Sequence, residues 1–144
     1  MSDVIDTHTH VISPDPARYP VAPLGGKQSD WSRARPTTAD MLLTAMDEAG
    51  IAKSAVVQAS TAYGFDNSYL AASVAAHPDR FTGVFSIDMF GADAPMQFKR
   101  WTEAGLTGMR LFTTGSTSPG QADWLADERT YPIWELAEAR WERV

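Results

Sequence analysis

A short apolar segment followed by a longer amphipathic segment occurs four times along the chain, and this alternation restricts the folds that the sequence can adopt. Short apolar runs predict buried strands, whereas apolar residues three and four positions apart predict helices. Strands that alternate with helices pair in parallel through right-handed crossovers. The sequence therefore predicts an α/β fold whose four strands cover about residues Asp3–His8, 54–60, 81–90 and 108–112.

Capping residues and glycines mark the helices between these strands. Threonine, aspartate and asparagine favour a helix start, and glycine favours a helix end because it adopts the left-handed conformation readily. Gly50 is therefore predicted to end the first helix and Gly105 the third. The predicted helices begin near Thr37 or Thr38, at Asp66 or Asn67 and at Asp93, and the last runs from about Thr130 to Trp141.

A long connection follows the first strand, from Val11 to about Pro36. Four prolines and a Gly-Gly pair precede Lys27, and this density predicts a segment without regular structure. A loop of this length is uncommon unless it is functional, and the alternative is a mobile surface loop. In the functional interpretation, Trp31 and Tyr19 cover the mouth of a site.

Composition excludes several classes of function. The net charge of -6 argues against an electrostatic grip on nucleic acid or on anionic lipid. The sequence contains no apolar run long enough to span a membrane, no recognisable signal peptide and no cysteine, so thiolate ligands and disulfides are excluded. We expect one domain over residues 1–144, in a protein that works in the cytoplasm.

Two of the three histidines lie in the stretch "IDTHTHV" at the end of the first predicted strand. Side chains alternate along a strand, so Asp6, His8 and His10 would share one face. Two imidazoles on one face can direct their nitrogens at a common point, which suits a divalent metal or a substrate. The alternative is an ordinary polar strand segment. We expect the third histidine, His77, to have a local capping or packing role.

Several motifs in order resemble a known family. "DTHTHV", "MDEAGIAKSAVVQAS", "YGFDNSYLAASVAAHPDRFTGVFSID" and "GLTGMRLF" together resemble the amidohydrolase-related branch of the amidohydrolase superfamily. That branch contains 2-pyrone-4,6-dicarboxylate lactonase and metal-dependent decarboxylases. The resemblance implies a TIM-type (β/α)₈ barrel with His8 and His10 as metal ligands on the first strand. It also implies hydrolysis of a small carboxylated lactone, ester or amide by water, with zinc as the expected metal or, in a lactonase-like member, no metal.

The chain departs from the family in its extent. The family normally adds histidines from the fifth and sixth strands and an aspartate from the eighth, whereas this chain contains four βα units. We therefore expect the N-terminal (β/α)₄ half of the barrel, truncated before the fifth strand. A half-barrel exposes unpaired backbone at both sheet edges, so self-association without catalysis is one alternative. Decarboxylation on the same scaffold is another.

Other candidate residues lie at or near the predicted strand ends. Arg110 lies inside the fourth predicted strand, where a buried guanidinium needs a carboxylate partner from the protein or from a substrate. The resemblance favours a substrate and a catalytic role for Arg110. Gln58, Ser60 and Tyr63 follow the second strand and are predicted either to bind substrate or to support the turn. Asp88 is predicted to cap a turn rather than to orient a histidine.

Overall fold

Four parallel strands form one sheet in the computed structural model, which describes residues 4–113 and 124–141. The sheet order is β1-β2-β3-β4, so each strand pairs with the next one along the chain. This order is the one that successive right-handed crossovers produce, and it confirms the predicted α/β class. The strands are β1 (Ile5–Thr9), β2 (Lys53–Val57), β3 (Phe81–Phe85) and β4 (Gly108–Met109).

Helices occupy each connection between strands. A short 3₁₀ turn, Glu128–Thr130, precedes the last helix. Within residues 4–113 and 124–141, no helix combines the length and the apolar character that a membrane span requires. The helices are α1 (Asp30–Ala34), α2 (Ala39–Ala49), α3 (Ser60–Tyr63), α4 (Ser68–Ala76), α5 (Ala94–Glu103) and α6 (Tyr131–Trp141).

Helix α2 shows how local sequence sets an element. The Thr38 hydroxyl accepts a hydrogen bond from the Met41 N–H at 3.2 Å, which satisfies one donor of the first turn. Gly50 ends the helix in the left-handed conformation, with φ of 68°. Leu42 and Met46, four positions apart, are buried and anchor the helix on the sheet.

The core lies between one face of the sheet and the helices. Phe81, Gly83 and Phe85 alternate along β3 on the buried face, and Phe85 meets Phe98 of α5 edge to face at 5.7 Å. The residues between them, Thr82 and Val84, are exposed and half-buried. The helices therefore cover one face of the sheet and leave the other face largely uncovered by the described residues.

Four features differ from the sequence prediction. The connection from Val11 to Pro36 is not devoid of regular structure, because α1 forms after its prolines and glycines end. The second strand stops at Val57, and helix α3 begins three residues later. The third and fourth strands end at Phe85 and Met109, several residues earlier than predicted, because their last residues have no ladder partners among the described residues. Asp3 lies outside the described residues.

The long connection packs closely on α3. The Ala22 N–H donates to the Ala62 carbonyl at 2.8 Å, and the Leu24 N–H donates to the Ser60 carbonyl at 2.8 Å. These bonds satisfy backbone groups that would otherwise need water, and they tie the connection to the end of β2. The segment is thus a docked part of the fold, which favours the functional interpretation of its length.

The packing of the long connection on α3 requires a glycine at position 64. Its φ is 57°, and an added Cβ would lie 2.8 Å from the Ala22 carbonyl oxygen. We expect Gly64→Ala to lower the free energy of unfolding by about 1–3 kcal/mol from backbone strain, with the clash in addition. Gly50→Ala is the matched control, since φ there is 68° but no atom lies within 4 Å of the added Cβ. Urea unfolding should rank Gly64→Ala as the more damaging change; the reverse order would contradict this assignment.

Candidate active site

The four residues that directly follow the four strands lie next to one another along one edge of the sheet, the edge formed by the carboxyl ends of the strands. Carboxyl ends of parallel strands lie side by side, which is where barrels and open sheets place their chemistry. The residues are His10 after β1, Gln58 after β2, Ser86 after β3 and Arg110 after β4. The sequence prediction that His10, Gln58 and Arg110 gather here is consistent with this arrangement.

The two histidines at the end of β1 are close together. Their ring centroids are 5.0 Å apart and the ring planes are nearly perpendicular. The pairing of β1 with β2 shifts register between Asp6 and Thr9, so the chain is irregular where the histidines lie. The Asp6 carboxylate accepts the His8 backbone N–H at 3.0 Å and stabilises this irregular segment. Asp6 therefore supports the backbone that carries His8.

The ring of His10 is held on two sides. Its Nδ1 lies 2.7 Å from the Val57 carbonyl oxygen at the end of β2. A carbonyl oxygen only accepts, so Nδ1 carries the proton and Nε2 carries the lone pair. The indole of Trp31 stacks on the other side, with centroids 5.2 Å apart and planes inclined by 22°. Trp31 therefore contacts the site directly, and its role in covering the mouth stays a prediction.

The pKa of His10 lies below its ordinary value of 6.5. Burial is the largest cause, because it disfavours the charged imidazolium, and the charges of Arg110 and His8 act in the same direction. The hydrogen bond to the Val57 carbonyl opposes the shift without reversing it. His10 is thus held neutral near neutral pH, as a metal ligand or a general base must be.

The lowered pKa of His10 predicts a dependence of stability on pH. As the pH falls, the His10 imidazole of the unfolded chain is protonated first, near pH 6.5, and that of the folded chain only at a lower pH. Acidification therefore favours unfolding. We expect the free energy of unfolding to fall as pH drops from about 6.5 through the lowered pKa of the folded state, and His10 to contribute no slope above that range. Urea unfolding at about pH 8 and about pH 5 measures the loss.

The matched variant is His10→Asn, whose side-chain amide retains an N–H donor for Val57. All other side chains are common to the two proteins, so the difference between their losses of stability isolates His10. The wild-type chain should lose more stability on acidification than the variant. Equal losses would contradict the assignment of a lowered pKa to His10.

Arg110 lies across the site from the histidine pair. Its backbone N–H donates to the Phe85 carbonyl at 2.7 Å, which fixes the main chain just beyond β4. Its Nη1 donates to the Gln58 carbonyl at 3.3 Å, and its guanidinium carbon lies 4.4 Å from the centre of the Phe112 ring. Burial lowers the pKa of Arg110 from its ordinary value, and an arginine stays charged in proteins at neutral pH. Among the described residues, no carboxylate forms an ion pair with it.

The three polar residues predicted near the end of β2 contact other parts of the chain. The Gln58 amide donates to the carbonyls of Gly64 and Asp66, at 3.2 and 2.8 Å. The Ser60 hydroxyl donates to the Ser86 hydroxyl at 3.2 Å. These contacts are of the turn-supporting kind, and both side chains are buried. Their role in substrate binding stays a prediction.

Tyr63 is also buried, and its hydroxyl accepts the Ser13 N–H at 2.8 Å. Burial raises the pKa of Tyr63, so the phenol keeps its proton, and the bond from Ser13 opposes the shift only in part. Tyr63 therefore links α3 to the start of the long connection. A direct contact between Tyr63 and a substrate likewise stays a prediction.

Asn67 is a structural residue whose role the sequence did not reveal. Its amide donates to the Ser86 carbonyl and accepts the Ser86 N–H, both at 2.9 Å, and the residue is fully buried. Asn67 occupies the N-cap position of α4 without making the capping hydrogen bond, while Asp66 accepts the Ser68 N–H. Asp66 and Asn67 are both capping residue types, so the sequence carried no signal of which one turns inward.

The remaining polar residues that the sequence singled out have local roles. The Asp88 carboxylate accepts the Phe90 N–H at 3.0 Å, which confirms the predicted turn cap. His77 ends α4 and packs edge-on against Phe81, which begins β3, at 5.7 Å. Phe81 is at the amino end of its strand, so His77 lies at the opposite end of the sheet from His8 and His10. This position confirms the predicted packing role.

The donor set fits part of a metal site. Nε2 of His10 has its lone pair available in the tautomer that Val57 selects, and a carbonyl on the other nitrogen is a common partner of metal-binding histidines. His8 brings a second imidazole to the same place. Within the described part of the chain, however, no group of three or more His, Cys, Asp or Glu side chains could hold a metal ion. A catalytic zinc usually takes three protein ligands.

The fold matches solved structures over nearly its whole length. A candidate 2-pyrone-4,6-dicarboxylic acid hydrolase from Acinetobacter baumannii, solved with citric acid bound, superposes with a TM-score of 0.72 at 20% identity, over 96% of this chain and 46% of that one. A candidate hydrolase of the same name from Pseudomonas putida gives 0.69 at 21% identity, over 94% and 44%. A protein from Agrobacterium tumefaciens, solved without ligand, gives 0.64 at 23% identity, over 90% and 44%.

These similarities establish the fold, and the chain spans less than half the length of each of the three proteins. The four βα units thus match half of a TIM-type barrel, as predicted. No curated protein matches the sequence. The sequence model of the amidohydrolase family matches residues 5–140, and the chain therefore belongs to the amidohydrolase family.

Proposed function

We propose that this half-barrel is part of a hydrolase that opens small carboxylated lactones or related cyclic esters and amides. The observation that carries the proposal is the guanidinium of Arg110, half-buried and without a carboxylate partner among the described residues, on the same edge of the sheet as the imidazoles of His8 and His10. A buried guanidinium of this kind is best satisfied by a carboxylate, and a substrate can supply it.

The similar structures support the same substrate class. One of them binds citric acid, a small tricarboxylic acid, and two are candidate hydrolases of a pyrone dicarboxylic acid. Such a substrate offers a lactone carbonyl for attack and carboxylates for recognition. Activity and substrate would belong to the whole-barrel protein, by which we mean this chain continued by the four βα units that complete a (β/α)₈ barrel.

Each residue has a defined task in this proposal. Arg110 binds a substrate carboxylate through charge-assisted hydrogen bonds and orients the ring. His10, neutral and with Nε2 unprotonated, accepts a proton from the water that attacks the carbonyl. The edge-on contact with His8 places a second imidazole beside it. The attack breaks the ester or amide bond, and the proton that His10 accepted passes to the leaving oxygen or nitrogen. The products are an acid together with an alcohol or an amine.

A divalent metal, with zinc as the first candidate, is compatible with this site. His8 and His10 would hold it, with His10 then serving as a ligand through Nε2 instead of as the base, and the remaining ligands would come from the other half of the barrel. Such an ion supplies Lewis acidity and lowers the pKa of a bound water. Without a metal, the imidazole of His8 could donate a hydrogen bond to the carbonyl oxygen while His10 acts as the base. We propose a site that serves small molecules, in a protein that we place in the cytoplasm.

The test is an assay of lactone and amide hydrolysis by the whole-barrel protein, with His8→Ala measured in parallel. Strand β1 leaves His8 exposed, so the substitution should leave the fold intact. We expect hydrolysis of a carboxylated lactone by the wild-type protein and a large loss in the variant. Equal turnover by the two proteins would refute the proposal.

Two alternatives have specific consequences. Decarboxylation on the same scaffold would release carbon dioxide instead of opening a ring. Self-association of the chain is favoured by the exposed Ile5, at 57%, on β1, and by edge strands β1 and β4, which each pair with one described strand. The solution mass of the purified chain distinguishes this alternative, since a stable monomer at micromolar concentration would exclude it.

A further inference from the structure

Trp31 is placed on His10 by a short helix in the long connection. Helix α1 carries the indole, which stacks on the imidazole with a centroid separation of 5.2 Å and an inclination of 22°. Near-parallel stacking at this distance covers one face of the smaller ring. It therefore shields that face of His10 from water and limits the orientations that the ring can adopt.

The helix that carries Trp31 is anchored by a chain of hydroxyl groups. Thr61 in α3 donates to the Ser29 hydroxyl at 2.9 Å, which in turn donates to the Ser32 hydroxyl at 2.8 Å. The Ser29 N–H donates to the Thr61 carbonyl at 3.2 Å, and Ser32 is almost fully buried. Because α3 follows directly after β2, the position of Trp31 is set by the strand end that also supplies the Val57 carbonyl.

The Val57 carbonyl alone does not fix the imidazole. One hydrogen bond leaves the ring able to pivot about the line that joins Nδ1 to the oxygen, and water reaching the ring face could compete for that oxygen. Stacking of Trp31 on the ring face removes the pivot, and the edge contact of His8 limits it from another side. The two contacts and the hydrogen bond together define one direction for Nε2.

We propose that Trp31 is a positioning residue for His10, and that the Thr61–Ser29–Ser32 hydroxyl chain fixes it. Trp31 keeps His10 in the Nδ1-protonated tautomer and directs Nε2 toward the water that attacks the carbonyl. The proposal rests on the proposed function for the importance of His10. Its main test is independent of activity, so the two can fail separately.

The experiment is nitrogen-15 NMR of the imidazole side chains in the purified chain at neutral pH, with His10→Asn used to assign the His10 signals. The wild-type chain should show His10 in the single Nδ1-protonated tautomer. Trp31→Phe, which retains a stacking ring, should preserve it. Trp31→Leu, which retains an apolar side chain without a flat face, should give the averaged signals of two tautomers. Tyr19→Leu, which removes another aromatic ring of the same connection, should preserve the wild-type signals because Tyr19 contacts Tyr69 instead.

A single tautomer in a folded Trp31→Leu chain would overturn the proposal. If that variant does not fold, Thr61→Val decides the matter, because it removes the hydroxyl that holds Ser29 without changing the Trp31 side chain itself. Unchanged His10 signals in this variant would also overturn the proposal. In the whole-barrel protein we expect Trp31→Leu to lower kcat by about 10- to 100-fold, the usual effect of losing a group that orients an active histidine, with KM little changed. A rise in KM alone would mark Trp31 as a substrate contact.

Discussion

Replacement of His10 by asparagine is expected to lower kcat/KM of the whole-barrel protein by about 100- to 10,000-fold, the range that a general base contributes. The asparagine amide can still donate to the Val57 carbonyl, as Nδ1 of His10 does at 2.7 Å. It has no counterpart of Nε2, the nitrogen that bears the lone pair. The variant therefore removes the proposed chemistry and retains the contact that supports the fold.

His77→Asn is the control for this variant. His77 is the third histidine of the chain and packs against Phe81 at the opposite end of the sheet. The same chemical change there should leave kcat/KM unaltered. If His10→Asn retained wild-type turnover, or if both variants lost it equally, His10 would not be the base.

Replacement of Arg110 by methionine is expected to raise KM for carboxylated substrates by about 10- to 100-fold. A hydrogen bond to a charged group contributes about 1.5–3 kcal/mol, and each 1.4 kcal/mol is about tenfold in affinity. Methionine retains an apolar side chain that can pack on Phe112, the ring that the guanidinium covers at 4.4 Å. It loses the charge, so a neutral ester of the same substrate should be bound equally by the variant and the wild-type protein.

Arg100→Met is the matched control. Its guanidinium carbon also lies 4.4 Å from the centre of an aromatic ring, that of Trp101, but on helix α5. This variant should leave KM for the carboxylated substrate unchanged. If Arg110→Met raised KM equally for the carboxylated substrate and for its neutral ester, Arg110 would support the structure and would not bind the carboxylate.

The sequence was sufficient to predict the sheet, and with it the edge where the site lies. Strand residues such as Val56 and Phe85 lie in short apolar runs, and the parallel order follows from the alternation with helices. His10 and Arg110 could be assigned to one edge because His10 follows the first predicted strand and Arg110 lies inside the fourth, near its carboxyl end. Their proximity to each other therefore follows from the local sequence pattern and the topology of the sheet alone.

The contacts within the site could not be predicted in the same way. Trp31 reaches His10 because α1 docks on α3, and this docking depends on hydroxyl contacts between residues far apart in sequence. The inward turn of Asn67 is set by the backbone N–H and carbonyl of buried Ser86, which no periodicity in the sequence indicates. Such contacts arise from tertiary packing, and the local propensities of the residues do not predict them.

The most direct test of the central claim, that this edge of the sheet serves hydrolysis, is the reaction of a carboxylated lactone with the whole-barrel protein in water labelled with oxygen-18. Attack by water on the lactone carbonyl should place one labelled oxygen in the new carboxylate of the ring-opened product, with no carbon dioxide released. In His10→Asn the rate of incorporation should fall by about 100- to 10,000-fold. Release of carbon dioxide without labelled product, or incorporation at the wild-type rate in His10→Asn, would contradict the account.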